Sequence, residues 1–560
     1  MNLPEPQSVT FPSLFDQIRN GTIKIPQFQR DFVWSKAQSA RLLDSVIKGY
    51  PIGTFILWST HERLRSVRNL GGIDLPDTPP GNAVKYVLDG QQRLTSLFVT
   101  LNGLTIQREE HEDDYSHMWL DLQAHEDEDL VLLDVKDRDE SSVIRLHDLL
   151  HGEFDFLASF SKPAQARIKL YKNRIESYQF SAVQITDAPI DVATEIFTRL
   201  NVGGKPLTPF EIMVAKTYDV PRNFDLAERY SDLITELTEI EFETIPESNL
   251  LQTISILAER DARRKVILRL SKDKVIDNWP LMIDGLKLAI DYFRSAYGIP
   301  ASRLLPYPAL VIPFTYFFHN HPKNPTGHRA KYLEDFFWRV SLSGRYSQSV
   351  ESRSMQDVQR MDAILDNHRP GYDWAIDVSP EFIEQNGYFS VGRSFIKALL
   401  CLLARKTPRS FETDVPVRLD NDWLKQANSK NYHHFFPKSW LKKKGYLDRK
   451  INHIANITLV DDYLNKRVIQ AQPPGTYVKS CYHENEQLDR TLASHLIGKP
   501  ETWGILENDY EVFFRKRCRK LSSELNKLII PTESDSRMTA TPASETDESL
   551  ANPVEAARDS

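Results

Sequence analysis

The segment that most restricts how this chain can fold is NYHHFFPKSWLKKKGYLDRKINHIANITLVDDYLNKRV, Asn431–Val468. It sets two histidines on a short strand-like run that Pro437 must end, because proline cannot donate to a ladder. Neighbouring strand residues point to opposite faces, so the spacing predicts that His433 and His434 diverge. ANITLV then reads as a second strand entered at Asn456. Asp461 is suited to cap a following helix, which would carry Asn465 and Lys466 about one turn in.

The remainder needs more than one core. At roughly 150 residues per domain, 560 residues suggest three or four domains. A content of 41% hydrophobic and 26% charged residues is that of a soluble globular chain. Cys401, Cys481 and Cys518 lie far apart without a CxxC pair, which argues against a disulfide framework or a zinc ribbon. The N-terminus lacks the pattern of a secretory signal. The longest apolar runs, Ala309–Phe318 and Phe395–Leu403, fall short of the ~20 residues that span a bilayer. The expectation is a cytoplasmic protein with no membrane partner.

Thr54–Trp58 and Val84–Leu88 read as strands, and Ser39–Lys48 as a helix with Leu42, Leu43, Val46 and Ile47 on one face. The acid-rich run Glu109–Leu130 reads as a solvated loop or edge. From Thr208 to Lys406 the pattern is helical, with examples at Asn223–Glu239, Trp279–Tyr297, Tyr332–Leu342 and Ser390–Ala404. His319-Asn320-His321 also spells H-N-H, but it reads as a helix end. The last 30 residues are too poor in large apolar side chains to offset chain entropy, so a disordered tail is expected.

Three N-terminal pieces carry chemistry. They are Ile25–Arg30 with Phe32, Trp34 and Gly49–Gly53; Val87–Thr95, containing Asp89-Gly90-Gln91-Gln92-Arg93; and Ile196–Thr208, with Arg199, Asn201, Gly203, Gly204 and Lys205. In the second piece an apolar strand ends at Asp89-Gly90 and a helix begins at once. Such a turn offers unpaired amides at the positive end of a helix dipole, which suits phosphate. Asp89 could hold Mg²⁺, Arg93 could pair with phosphate oxygens, and a glutamine could position water. A structural turn explains a lone DGQQR equally well, and there is no P-loop signature. Phe28 and Trp34 suit either base stacking or a core.

The C-terminal segment resembles the HNH, or His-Me finger, nucleases. The resemblance implies a ββα-metal fold in which His434 is the general base, His433 and Asn465 are metal ligands, and Asn456 braces the loop and orients the base. The cation implied is Mg²⁺ or Mn²⁺. The three N-terminal pieces together resemble the N-terminal domain of the GmrSD-type modification-dependent restriction proteins. That likeness implies a ParB/sulfiredoxin-like fold, with Arg30, Asp89, Gly90, Gln91, Gln92 and Arg93 binding a nucleoside triphosphate, GTP or ATP; Arg199, Asn201 and Lys205 are weaker candidates. Single-chain fusions of this kind also resemble SspE-type defence proteins that sense phosphorothioate DNA. The expected class is therefore α+β multidomain: a nucleotide-binding domain over 1–215, a helical domain over 216–414, an HNH domain over 415–530 and a disordered acidic tail over 531–560.

Charge supports this order. The net charge of −7 divides into −9 over residues 1–420, +7 over 421–530 and −5 over 531–560. Lys442, Lys443 and Lys444 lie between the two nuclease strands, and Arg515, Lys516, Arg517, Arg519 and Lys520 lie on a late helix. Such runs neutralise DNA phosphates without reading sequence. Gly344-Arg345-Tyr346, with Arg353 and Arg360, is a further candidate contact. The acidic tail invites comparison with a DNA mimic. The expected activity is NTP-regulated, metal-dependent cleavage of DNA, with modified phage DNA as a candidate substrate. A non-nucleolytic NTP-switched DNA-binding regulator and an RNA-directed nuclease remain alternatives, and a homo-oligomer is compatible with each.

Overall fold

The computed structural model describes residues 4–26, 32–66, 69–70, 73–107, 111–125, 128–200, 207–425, 432–460 and 472–535. The chain forms two compact units, one of residues 1–236 and 246–283, the other of 237–245 and 284–560. The boundaries expected at 216 and 415 do not coincide with this division. Helices just beyond residue 216 cluster with the N-terminal sheet, and the histidine segment shares a unit with the helices before it.

The first unit is built on a five-stranded mixed sheet. Its strands are β1 (Glu5–Thr10), β2 (Ile23–Lys24), β3 (Phe55–Thr60), β4 (Val84–Asp89) and β5 (Gln179–Thr186). Their order is β1-β5-β3-β4-β2. The β5–β3 and β4–β2 pairs run parallel, and the other two antiparallel. The β3–β4 register shifts between Ile56 and Leu57, immediately opposite the end of β4 at Asp89.

Helices α1 (Phe11–Arg19), α2 (Lys36–Lys48) and α3 (Gln91–Leu101) fill the core with Phe15, Leu43, Ile47, Leu97 and Phe98. The α2 boundaries follow from sequence. Ser35 and Gln38 form a reciprocal capping box, and Gly49 ends the helix in the left-handed region at φ 76°. The acid-rich run is not all loop, since Glu112–Asp114 pairs with Thr105–Gln107 and Trp119–Asp121 lies between two further short strands.

The second unit is mainly helical around an aromatic core of Phe293, Tyr297, Phe314 and Phe337. It also holds the antiparallel pair β6 (Tyr432–His434) and β7 (Ile457–Leu459), joined through α4 (Lys438–Lys443) and α5 (Asp448–Ile451). A long helix, α6 (Tyr510–Asn526), packs near the start of β7. No described helix is long and apolar enough to cross a membrane.

Two further sequence expectations change here. The Gly344-Arg345-Tyr346 group is internal: Arg345 and the Tyr346 hydroxyl both bond Asp357, Arg360 joins them, and Arg353 donates to the carbonyls of Gly344 and Arg345. The requirement to pair a buried carboxylate takes these side chains away from solvent. Residues 530–535 do not belong to a free tail. The Ile530 amide donates to Asp335, and Arg339 donates to the Ile530 carbonyl and to Asp535. Residues 536–560 lie outside the described chain. His319-Asn320-His321 is a helix end as expected, with the Asn320 amide bonded to the Tyr316 carbonyl.

Candidate active site

β6 ends where sequence requires. Phe435 and Phe436 leave the strand, and Pro437 becomes the cap of α4. The register sets His433 opposite Thr458 and His434 opposite Ile457. The histidines diverge. His433 is 3% exposed, its Nδ1 lies 3.0 Å from Thr458 Oγ1, and Phe411 and Tyr477 meet it edge-on. Burial, then the neighbouring His434 and His495, lowers its pKa to about 3.

His434 takes the other face and is half-buried. Its Nε2 lies 3.0 Å from Asn452 Oδ1, and Asn452 Nδ2 donates to Asp448 Oδ1 at 2.8 Å. A carboxylate only accepts, so Asn452 must turn its NH₂ to Asp448 and its oxygen to His434. Nε2 therefore carries the proton and Nδ1 keeps its lone pair. Burial, then the charge of Lys438, lowers the His434 pKa to about 4 against the opposing effects of Asn452 and Asp448. The ring is neutral at pH 7, the form a general base needs.

Asn456 is fully buried and bonds to backbone, not to His434. Its Oδ1 accepts from the Phe436 amide at 2.8 Å, and its Nδ2 donates to the carbonyls of Phe436 and Ile451. The group that touches His434 is Asn452, which sequence reasoning passed over. The signal was present: Asp448 and Asn452 are four residues apart, the spacing that puts two side chains on one side of a helical turn.

The metal site that the resemblance implies is not complete within the described residues. Asn465 lies outside the described residues, and His433 would have to leave its slot among Thr458, Phe411 and Tyr477 to reach the face of His434. Among the described residues, no group of three His, Cys, Asp or Glu side chains is placed to hold a metal.

The basic runs divide. Lys442, Lys443 and Lys444 are exposed, at the C-terminal end of α4 rather than on a plain loop, with the Lys444 ammonium 5.6 Å from the Trp440 ring centre. On α6, Arg515 and Arg519 are exposed, and Lys516 and Lys520 are partly so. Arg517 is not a DNA contact. It is fully buried and donates to the Ile457 carbonyl at 3.2 Å, while its Nε and Nη1 have no hydrogen-bond partner among the described residues. Burial lowers its pKa to about 9.

In the first unit, Gly90 turns the chain at φ 93°, and a Cβ there would lie 2.5 Å from the Phe55 ring. Arg93 donates to the carbonyls of Ile52 and Thr54 and to Asp89, and lies over the Phe55 ring. Gly53, at φ 88°, leaves room for it, since a Cβ would stand 2.3 Å from Arg93 Nη1. Gln92 Oε1 accepts from the Val33 and Trp34 amides. Arg93 and Gln92 thus tie two loops to the strand-to-helix turn. The start of α3 has no side-chain cap, Asp89 is 40% exposed and Gln91 is half-buried. Arg199 is exposed and paired with Glu195. Trp34 packs against the core. Phe28, Arg30, Asn201, Gly203, Gly204 and Lys205 lie outside the described residues.

Residues 11–218 match the N-terminal domain of the GmrSD restriction endonuclease family. The match contains the sheet strands β2 to β5 and the DGQQR turn just described. An uncharacterized protein of Methanocaldococcus jannaschii is 23% identical over 555 residues, covering 87% of this chain and 91% of its own length.

Proposed function

We propose that the chain is a DNA endonuclease of the GmrSD restriction type, acting in defence against phage. Its N-terminal unit would bind and hydrolyse a nucleoside triphosphate at the start of α3, which has no side-chain cap, and sense DNA, and its histidine segment would cut. The observation that carries the cleavage reading is His434: neutral, half-buried and held at Nε2, on a segment that also carries a run of exposed lysines. Nδ1 accepts a proton from water as the water oxygen bonds to phosphorus and the bond to the leaving sugar oxygen breaks. Lys438, on the first turn of α4, is near enough to influence the histidine charge and would favour the negative charge that develops on the phosphate.

The N-terminal match supports the restriction reading, because that family is described as a restriction endonuclease. Cleavage of unmodified, base-modified and phosphorothioate plasmids is the test, in Mg²⁺, Mn²⁺ or EDTA and with or without GTP or ATP. His434→Ala is expected to abolish nicking while leaving the circular-dichroism spectrum unchanged. Undiminished cleavage by that variant would remove His434 from the chemistry. Absence of nicking on every DNA substrate and metal, with nucleotide-dependent DNA binding retained, would make the protein a regulator instead.

A further inference from the structure

We propose that Asp448 and Asn452 are positioning residues that fix the tautomer of His434, so that Nδ1 is the nitrogen that keeps its lone pair. This rests on the reading of His434 as the base, but its geometry stands apart from any cleavage assay. An imidazole with one proton can place it on either nitrogen, and only one choice leaves Nδ1 basic. An asparagine alone does not decide, because its amide can rotate and present NH₂ in place of oxygen. Rotated, Asn452 would donate to Nε2 and drive the proton onto Nδ1, which disables the base. Asp448 prevents the rotation, since it would then face an oxygen instead of an N–H.

Asp448 and Asn452 are themselves held. The Tyr388 hydroxyl donates to Asp448 Oδ2 at 3.3 Å, so the two carboxylate oxygens have separate partners. The backbone amide of Asn452 donates to the Asp448 carbonyl at 2.8 Å, and its carbonyl accepts from Phe389 at 2.8 Å. The neighbouring His453 is buried, with Nε2 against the Ile383 carbonyl and Nδ1 accepting from Ala455. Asn452 is thus pinned on both sides along the chain, and its side chain has one orientation that satisfies every partner. The logic matches that of a carboxylate that holds a catalytic histidine in the right tautomer without titrating itself. Here an amide stands between the two.

The tautomer can be read directly. In the full chain with ¹⁵N-labelled histidine, long-range proton–nitrogen spectra at pH 7 should show His434, identified by its loss in His434→Ala, protonated on Nε2. Asp448→Ala should convert it to a mixture, and Asp448→Asn, which can keep an acceptor toward Asn452, should restore the Nε2 form. In plasmid nicking, Asn452→Leu and Asp448→Ala should lower kcat by about a hundredfold with little change in KM, the cost of a misplaced group. Asp448→Asn should recover most of the rate.

An Nδ1-protonated His434 in the unaltered protein would overturn the proposal. So would full cleavage by Asn452→Leu where His434→Ala is dead. If His434→Ala itself cleaves, the reading of His434 as the base fails and the spectra still decide the tautomer. Should Asn452→Leu fail to fold, the Asp448→Ala and Asp448→Asn pair decides the same question.

Discussion

A histidine that loses its proton at about pH 4 behaves differently in an assay from one near 6.5. Burial lowers the His434 pKa first, Lys438 adds to it, and the bond to Asn452 with the charge of Asp448 opposes both. The base form is the neutral ring, so activity is lost only as pH falls through about 4. Nicking rates should therefore be flat between about pH 5.5 and 7.5, without the acid limb of an unperturbed histidine. A fall centred near 6.5 would show that the ring is solvated in the working enzyme. Arg517 presents the opposite case, a charge buried with two donor atoms unmatched. Replacing such a group by an apolar one of similar volume is often neutral or stabilising, so Arg517→Met should hold or raise stability by about 1 kcal/mol in urea unfolding. A large loss would mean that the guanidinium has a partner of real worth. Neither property could be read from sequence. The divergence of the two histidines could, because it depends only on the alternation of a strand, whereas burial and pairing depend on distant Phe411 and Tyr477.

A helix cannot turn six consecutive residues to one side. The run Arg515–Lys520 is basic at every position but Cys518, yet α6 sends Arg515 and Arg519, four apart, outward and Arg517 and Cys518 inward. The same periodicity was available in sequence, since Phe513, Phe514, Cys518 and Leu521 already mark the buried face. Lys442, Lys443 and Lys444 escape this limit, because they sit where a short helix ends and all three reach solvent. If they bind DNA phosphates, the triple change to alanine should reduce the slope of log affinity against log salt by up to about 2.7, at roughly 0.9 for each phosphate no longer neutralised. Arg517→Met should leave that slope unchanged. Titration of a labelled duplex at several salt concentrations measures both. An unaltered slope for the triple variant would move the DNA surface elsewhere, with exposed Arg515 and Arg519 as the next candidates. The strand pair around the histidines was legible for a related reason: Pro437 and the ITLV run each admit few alternatives. The DGQQR turn was legible as a turn, but the roles of its Arg93 and Gln92 were not, since Ile52, Thr54, Val33 and Trp34 supply their partners from other parts of the chain.

Composition set the tail boundary too early at the scale of the whole molecule. Residues 531–560 carry a net charge of −5 and little to bury, which reads as one uniform segment. The structure gives their beginning a separate task. Asp335 and Arg339 are both fully buried and joined at 3.0 Å, and Arg339 also needs Asp535, at 2.6 Å, and the Ile530 carbonyl. Asp535 is fixed in turn by the amides of Thr532 and Ile376. Burial works against its ionisation, but Arg339 and these amides prevail and hold its pKa at about 2. The C-terminal segment is therefore part of the second unit up to Asp535, through a charge that composition cannot distinguish from the acids beyond it. Truncation separates the two roles. Removing residues 536–560 should leave the urea midpoint unchanged and, if the acids there compete with DNA for the lysines of α4, tighten DNA binding at low salt. Removing residues 530–560, or changing Asp535→Ala alone, should destabilise the unit by about 3 kcal/mol or more, because one partner of a buried ion network is lost while the arginine stays. Equal stability for all three variants would mean that Asp335 alone suffices for Arg339.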